Sequence, residues 1–185
     1  WKEALHFPLP ETRLDTQLVW HLSEKDAAVY LQNAGISEAS DAPLRQALIR
    51  YASSKKGQVH PFYLGLCADV VLTAKAHGSP LQSDAFSDIP EISQKSRILT
   101  ERLLKYVDDE VRNAIEALSA CRSFNFELYK KLGNALDFQA TRATFDTLVR
   151  FSFVWNKEGE KNRYRIHDLL RRFFDDSRHP TTLRV

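Results

Sequence analysis

The hydrophobic period of this 185-residue chain changes near residue 151, and that change limits the possible folds more than any other feature. Before it, apolar residues recur three to four apart. After it, Phe151, Phe153 and Trp155 recur at every second position, as do Tyr164 and Ile166 in a facing run. The polar stretch from Asn156 to Asn162 reads as the turn between two strands. A last helix is predicted from about Asp168, with Leu169, Leu170, Phe173 and Phe174 inward.

The earlier helices announce themselves by their ends. Ser23-Glu24-Lys25-Asp26 resembles a capping box, in which the serine hydroxyl accepts from a free N–H and the acidic residue reaches back. Ala27, Ala28, Tyr30, Leu31 and Ala34 follow at helical spacing, and Gly35 supplies the stop. A second helix is expected from about Asp41 to Ser54. His60-Pro61 opens a third, with proline where a missing N–H costs nothing. Phe62, Leu64, Leu66, Cys67, Val70, Val71 and Leu72 cover most of its circumference, so it should be buried on most sides. Ser93 is read as the cap of a helix carrying Ile98, Leu99, Leu103, Leu104 and Val107. Asp108-Asp109-Glu110 places negative charge at the start of the next, which buries Val111, Ala114, Ile115 and Leu118. Asn125 opens a short helix, Phe126 to Leu132, stopped by Gly133. Another is expected from about Gln139 to Phe151, with Ala143, Phe145, Leu148 and Val149 inward. Three helices followed by a β-hairpin is the winged helix-turn-helix order.

The expected fold class is therefore mainly α: a helical bundle followed by a winged helix-turn-helix domain with a small hairpin wing. The expected divisions are a lead-in segment at residues 1–22, a helical unit at 23–78, a linker at 79–92, the winged helix at 93–178 and a tail at 179–185. The linker is rich in Gly, Pro, Ser and Asp with little periodicity. A net charge of +2 does not point to nucleic acid or a membrane, and no apolar run is long enough to span a bilayer. Cys67 and Cys121 lie in apolar helical patterns without metal-ligand spacing, which suits buried thiols in a reducing cytoplasm. With no methionine and Trp1 in first position, the chain reads as a piece of something longer.

Two places could carry chemistry. Gly57-Gln58-Val59-His60-Pro61-Phe62-Tyr63-Leu64 puts a rigid apolar proline at the mouth of a buried helix, where it could pack on a base or sugar. Ile166-His167-Asp168 puts a histidine where a strand ends and a helix begins, so a ring N–H and a helix dipole could meet one anion. Each also has a purely structural reading, as a proline cap and as an aspartate N-cap beside a packed histidine.

Together and in this order, these tracts resemble the STAND-type ATPases of the AAA+ superclass, the NB-ARC- and NACHT-like group that includes plant resistance and apoptosome proteins. Leu22-Ser23-Glu24-Lys25-Asp26-Ala27 is similar to the opening of that family's helical lid. Gly57 with His60-Pro61-Phe62-Tyr63-Leu64 is similar to its G-x-P or GLPL motif. Tyr164-Arg165-Ile166-His167-Asp168-Leu169-Leu170-Arg171 is similar to its MHD motif, with Ile166 in the methionine position. The resemblance spans roughly residues 18–176. It implies that residues 23–78 are the lid (ARC1-like), that Pro61 packs beside the adenosine of ADP or ATP, and that His167 bonds the β-phosphate of ADP. His60, Ile166 and Asp168 would support that switch, with Asp168 orienting the histidine or capping the helix. It also implies partners: a P-loop domain upstream in the same chain that holds most of the nucleotide and its Mg, self-association of the parent, and an effector or sensor domain of unknown kind. These 185 residues contain no G-x-x-x-x-G-K-[ST], so the piece itself is not expected to hydrolyse ATP.

Two other readings stand beside this one. In a DNA-binding winged-helix regulator, Lys157, Lys161, Arg163 and Arg165 of the wing would touch phosphates. The helix after Gln139 argues against it, because Arg142 and Arg150 are offset by Asp146. In a helical protein–protein adaptor, residues 23–77 would bind a partner without nucleotide. A hydrolase finds no support, since the six histidines show neither HExxH nor paired-carboxylate spacing.

Overall fold

Some of the helix starts are set by side-chain caps. Ser23 accepts the Asp26 amide and gives its hydroxyl proton to the Asp26 carboxylate, opening α1 (Glu24–Asn33). Gly35 ends it at φ 103°, a conformation that costs glycine little. A 3₁₀ turn at Ala39–Asp41 leads into α2 (Ala42–Ala52). In the computed structural model, which describes residues 21–55, 57–157 and 159–178, the fold is mainly helical: a helical bundle with a winged-helix-like hairpin.

The helix expected to run on to Ser54 stops at Ala52. Ser53–Lys55 (β1) instead pairs antiparallel with Gln58–Val59 (β2) around Gly57, whose φ is 77°. Leu22 joins this ribbon through paired backbone bonds with Val59, of 2.8 and 3.0 Å. The start of α1 is thereby tied to the approach to α3 (Pro61–Ala76), with Pro61 at its first turn and ten residues buried.

Beyond α3 the expected linker is anchored. It holds a 3₁₀ turn, Ser83–Phe86, and Phe86 is buried edge-on against Tyr51. Next, α4 (Ile92–Tyr106) begins one residue before Ser93, with Glu91 rather than Ser93 at the cap, and packs along α3. Lys95 on α4 is 2 % exposed, and its ammonium donates to the carbonyls of Tyr51 (2.6 Å) and Ser53 (2.7 Å) at the end of α2.

The winged-helix part runs α5 (Asp109–Ser119), α6 (Phe126–Leu136), α7 (Arg142–Leu148), β3 (Val154–Asn156), β4 (Tyr164–Ile166) and α8 (Asp168–Arg178). β3 and β4 pair antiparallel with Val154 opposite Ile166, and Phe124 bridges to Tyr164 on the other side. α8 packs on both α4 and α5, and the buried side chains from Ala27 to Phe174 form one continuous cluster.

Two helices here differ from expectation. Gly133 does not stop α6, which runs on to Leu136 and ends where Asp137 turns left-handed at φ 56°. The glycine is needed for close approach instead. A Cβ on Gly133 would lie 2.5 Å from the Ala140 Cβ and 2.9 Å from the Phe138 carbonyl oxygen. Gly133→Ala is therefore expected to destabilise the protein by about 2 kcal/mol in urea unfolding, although alanine favours a helix by about 1 kcal/mol. A gain in stability would show that the loop at Phe138–Ala140 yields freely. α7 spans Arg142–Leu148 rather than Gln139 to Phe151, because Thr141 caps its start by accepting the Thr144 amide and the chain leaves through 3₁₀-type bonds after Leu148. Phe145 and Leu148 are buried as expected, but Ala143 is exposed.

Candidate functional site

His167 sits at the joint between β4 and α8, and its ring is held on three sides. It stacks on Phe62 with centroids 4.0 Å apart and meets Trp155 edge-on at 4.7 Å. Its Nδ1 accepts the Leu169 amide at 3.1 Å, so the histidine itself caps α8. Its own amide donates to the Phe153 carbonyl at 2.8 Å. Burial pulls the imidazole down to about 4; Asp168 opposes this, while Arg165 and His60 add to it. The ring is therefore neutral near pH 7. With Nδ1 accepting, the single proton is on Nε2.

Asp168 takes neither of its expected roles. It is the first residue of α8 rather than its cap, and its carboxylate is turned to Arg165 (3.2 Å) and Arg171 (3.5 Å). Arg171 also donates through Nε to the Ser119 carbonyl at 3.0 Å, fixing α8 on the end of α5. Arg165 lies over the Trp155 ring at 5.8 Å, so a guanidinium stands near the imidazole. Ile166 is fully buried and has a packing role.

The two sequence tracts meet. Pro61 is exposed at the first turn of α3, and the next residue, Phe62, supplies the face on which His167 stacks. His60, half-buried before Pro61, packs against Tyr63 at 4.6 Å and approaches Phe62 and His21 edge-on. Its Nδ1 is buried without a hydrogen-bond partner among the described residues. Burial, then His21 and Lys95, hold its pKa below the usual histidine value. A neutral, unbonded ring nitrogen and a neutral ring N–H donor thus both belong to rings in contact with one phenyl group.

The sequence reading missed Phe62 and Trp155 as neighbours of His167, and it missed Asp69. One oxygen of the Asp69 carboxylate accepts both the amide (2.9 Å) and the hydroxyl (2.6 Å) of Ser152, just before β3. Burial pushes this carboxyl up to about 7 against the pull of those two bonds. The signal was present, because Asp69 is the one charged residue between Pro61 and Thr73 on a helix otherwise apolar enough to be buried. Phe62 carried no such mark, since an aromatic on a buried helix is ordinary core.

Among the described residues, no group of three or more His, Cys, Asp and Glu side chains could hold a metal ion, and no helix is long and apolar enough to cross a membrane. Comparison with protein families, with curated proteins and with solved structures finds no match for this chain.

Proposed function

We propose that this chain is the regulatory lid and winged-helix part of a STAND-type nucleotide-switch ATPase, with His167 reading the phosphates of bound ADP. The observation that carries the reading is the state of that imidazole. It is neutral, its proton is on Nε2, and it is fixed at the N-terminus of α8 against the first turn of α3. A phosphate favours a fixed N–H donor beside a helix N-terminus. Pro61, exposed one residue before the stacking Phe62, is available to an adenosine face.

Under this reading a P-loop domain of the same protein holds most of the ADP or ATP and its Mg, and this chain contributes no hydrolytic group. The bound diphosphate supplies the negative charge that His167 recognises. The histidine then favours the closed arrangement of lid and winged helix, and losing that contact favours opening and self-assembly. An effector or sensor domain would use the opening in a cytoplasmic signalling role. One hydrogen bond to a charged group is worth about 1.5–3 kcal/mol, so His167 biases the switch by roughly 10- to 150-fold without setting it alone.

The test is titration of ADP into the full-length protein and its His167→Ala variant, with oligomeric state measured by light scattering. The variant is expected to bind ADP at least about tenfold more weakly and to self-associate more readily. If affinity and oligomeric state both stay as in the parent, the reading fails at its central residue.

The DNA-binding alternative loses ground on the wing. Lys157 and Arg163 both pair with Glu160, Arg165 pairs with Asp168, and Arg142 on α7 pairs with Asp146. These exposed pairs offset part of the wing's charge, Lys157 and Arg163 sharing the one carboxylate of Glu160, and a partly offset surface releases fewer counterions from DNA.

A further inference from the structure

Three positions of α3 lie along one stripe, and each meets the segment that carries the site. Phe62 holds the ring of His167. Gly65 admits the chain before β3: a Cβ there would lie 2.7 Å from both the Cβ and the Oγ of Ser152. Asp69 binds Ser152 through its amide and its hydroxyl. The residue after Ser152 is Phe153, whose carbonyl accepts the His167 amide. The helix therefore grips the histidine twice, at its ring and, through three linked groups, at its backbone.

We infer that Asp69 is a positioning residue for His167, acting through Ser152 and the Phe153 carbonyl to set the imidazole against Phe62. A carboxylate oxygen with two short donors fixes both the height and the rotation of the segment it holds, which one neutral bond would not do. The arrangement explains a polar group on a helix that is otherwise core. Burying Asp69 opposes its ionisation, and a residue serving packing alone could be apolar. Gly65 fits the same account, since it lets Ser152 come within reach of the carboxylate one turn away.

The inference gives the nucleotide-sensing reading a residue that aims its sensor, and in that sense rests on it. Its test contains no nucleotide, so a failed ADP titration and a failed result here are distinguishable. The His167 ring protons are followed by NMR through a pH titration of the 185-residue chain and of Asp69→Ala, Asp69→Asn and Ser152→Ala. In the parent, the Phe62 face should displace these signals upfield and the imidazole should titrate in the acid range.

Asp69→Ala is expected to move the signals toward those of a free histidine and to raise the His167 pKa by about one unit. Asp69→Asn keeps an oxygen that can accept both Ser152 donors and should restore most of the parental shift. That rescue separates hydrogen bonding from charge. Ser152→Ala keeps the backbone bond and the Cβ contact with Gly65, so it should fold and show a partial displacement. It carries the test if Asp69→Ala does not fold. His167 signals and pKa unchanged in folded Asp69→Ala, or in Ser152→Ala, would overturn the inference.

Discussion

Lys95→Ala is expected to lower the unfolding free energy by about 3 kcal/mol, because two carbonyls at the end of α2 lose their donor inside the protein. Lys95 is among the most buried polar side chains described, at 2 % exposure, and its ammonium faces carbonyl dipoles. Burial holds its pKa below the ordinary lysine value. Two effects compete at this position. Removing a buried cation relieves its desolvation, which favours the variant. Each orphaned buried carbonyl costs about 1–3 kcal/mol, and the space left by the aliphatic stem adds to that. The second effect should win, because two carbonyls at the end of α2 lose a charged donor at once. Lys95→Met, which keeps the stem, should lose less. Urea unfolding measures both variants. A loss below about 0.5 kcal/mol for Lys95→Ala would show that water reaches the end of α2.

Phe62→Ala is expected to cost a similar amount, about 3 kcal/mol, and to change how stability depends on pH. Phe62 is 8 % exposed, and its ring keeps water from His167. The sign follows from the histidine's two states. The imidazole titrates near 6.5 when unfolded and near 4 when folded, so folding favours the neutral form. Its contribution is fully present above about 6.5 and is lost as pH falls toward 4. Asp69 acts in the opposite direction. Its folded value near 7 lies above the ordinary carboxylate value of 3.8, so its effect favours folding as pH falls through that range. Asp69 is common to parent and variant, so the difference between their stability–pH curves reports the two histidines beside Phe62, His167 and the edge-on His60, and NMR of the ring protons separates them. The variant should show a shallower loss between pH 6.5 and 4, with the His167 pKa rising toward its ordinary value. An unaltered histidine pKa in the folded variant would mean that Trp155 and the backbone, rather than Phe62, set it.

These two positions differ in how far the sequence revealed them. The helix starts were legible because their causes lie within one turn. Ser23 acts on Asp26 and Asn125 on the Leu128 amide, each three residues on, whereas the starts expected at Ser93 and Gln139 fall at Ile92 and Arg142. The change of period placed the wing for a similar reason, since alternation is written into adjacent residues. Its register did not follow: Val154 pairs with Ile166 and Trp155 with Arg165, so the Phe151, Phe153 and Trp155 set runs out of step with Tyr164 and Ile166.

Where the sequence reading went astray, the cause was a partner remote in the chain or a feature too short to have a period. A ribbon of three residues and two, at Ser53–Lys55 and Gln58–Val59, shows no alternation, and it exists because Leu22 closes it from outside. Gly133 looked like a helix stop because glycine often is one, whereas its purpose is decided by Ala140 and Phe138 across the turn.

The sequence by itself determined the order of helices and wing and the caps at Ser23 and Asn125, because those depend on interactions within a few residues. Tertiary structure decided that His167 rather than Asp168 caps α8, that Phe62 is its stacking face, and that Lys95 closes α2 from 44 residues away. It also decided that Asp69 reaches Ser152 across 83 residues. The physical reason is the same in each case. A buried polar group must find a partner, and which partner it finds is fixed only once the helices have packed.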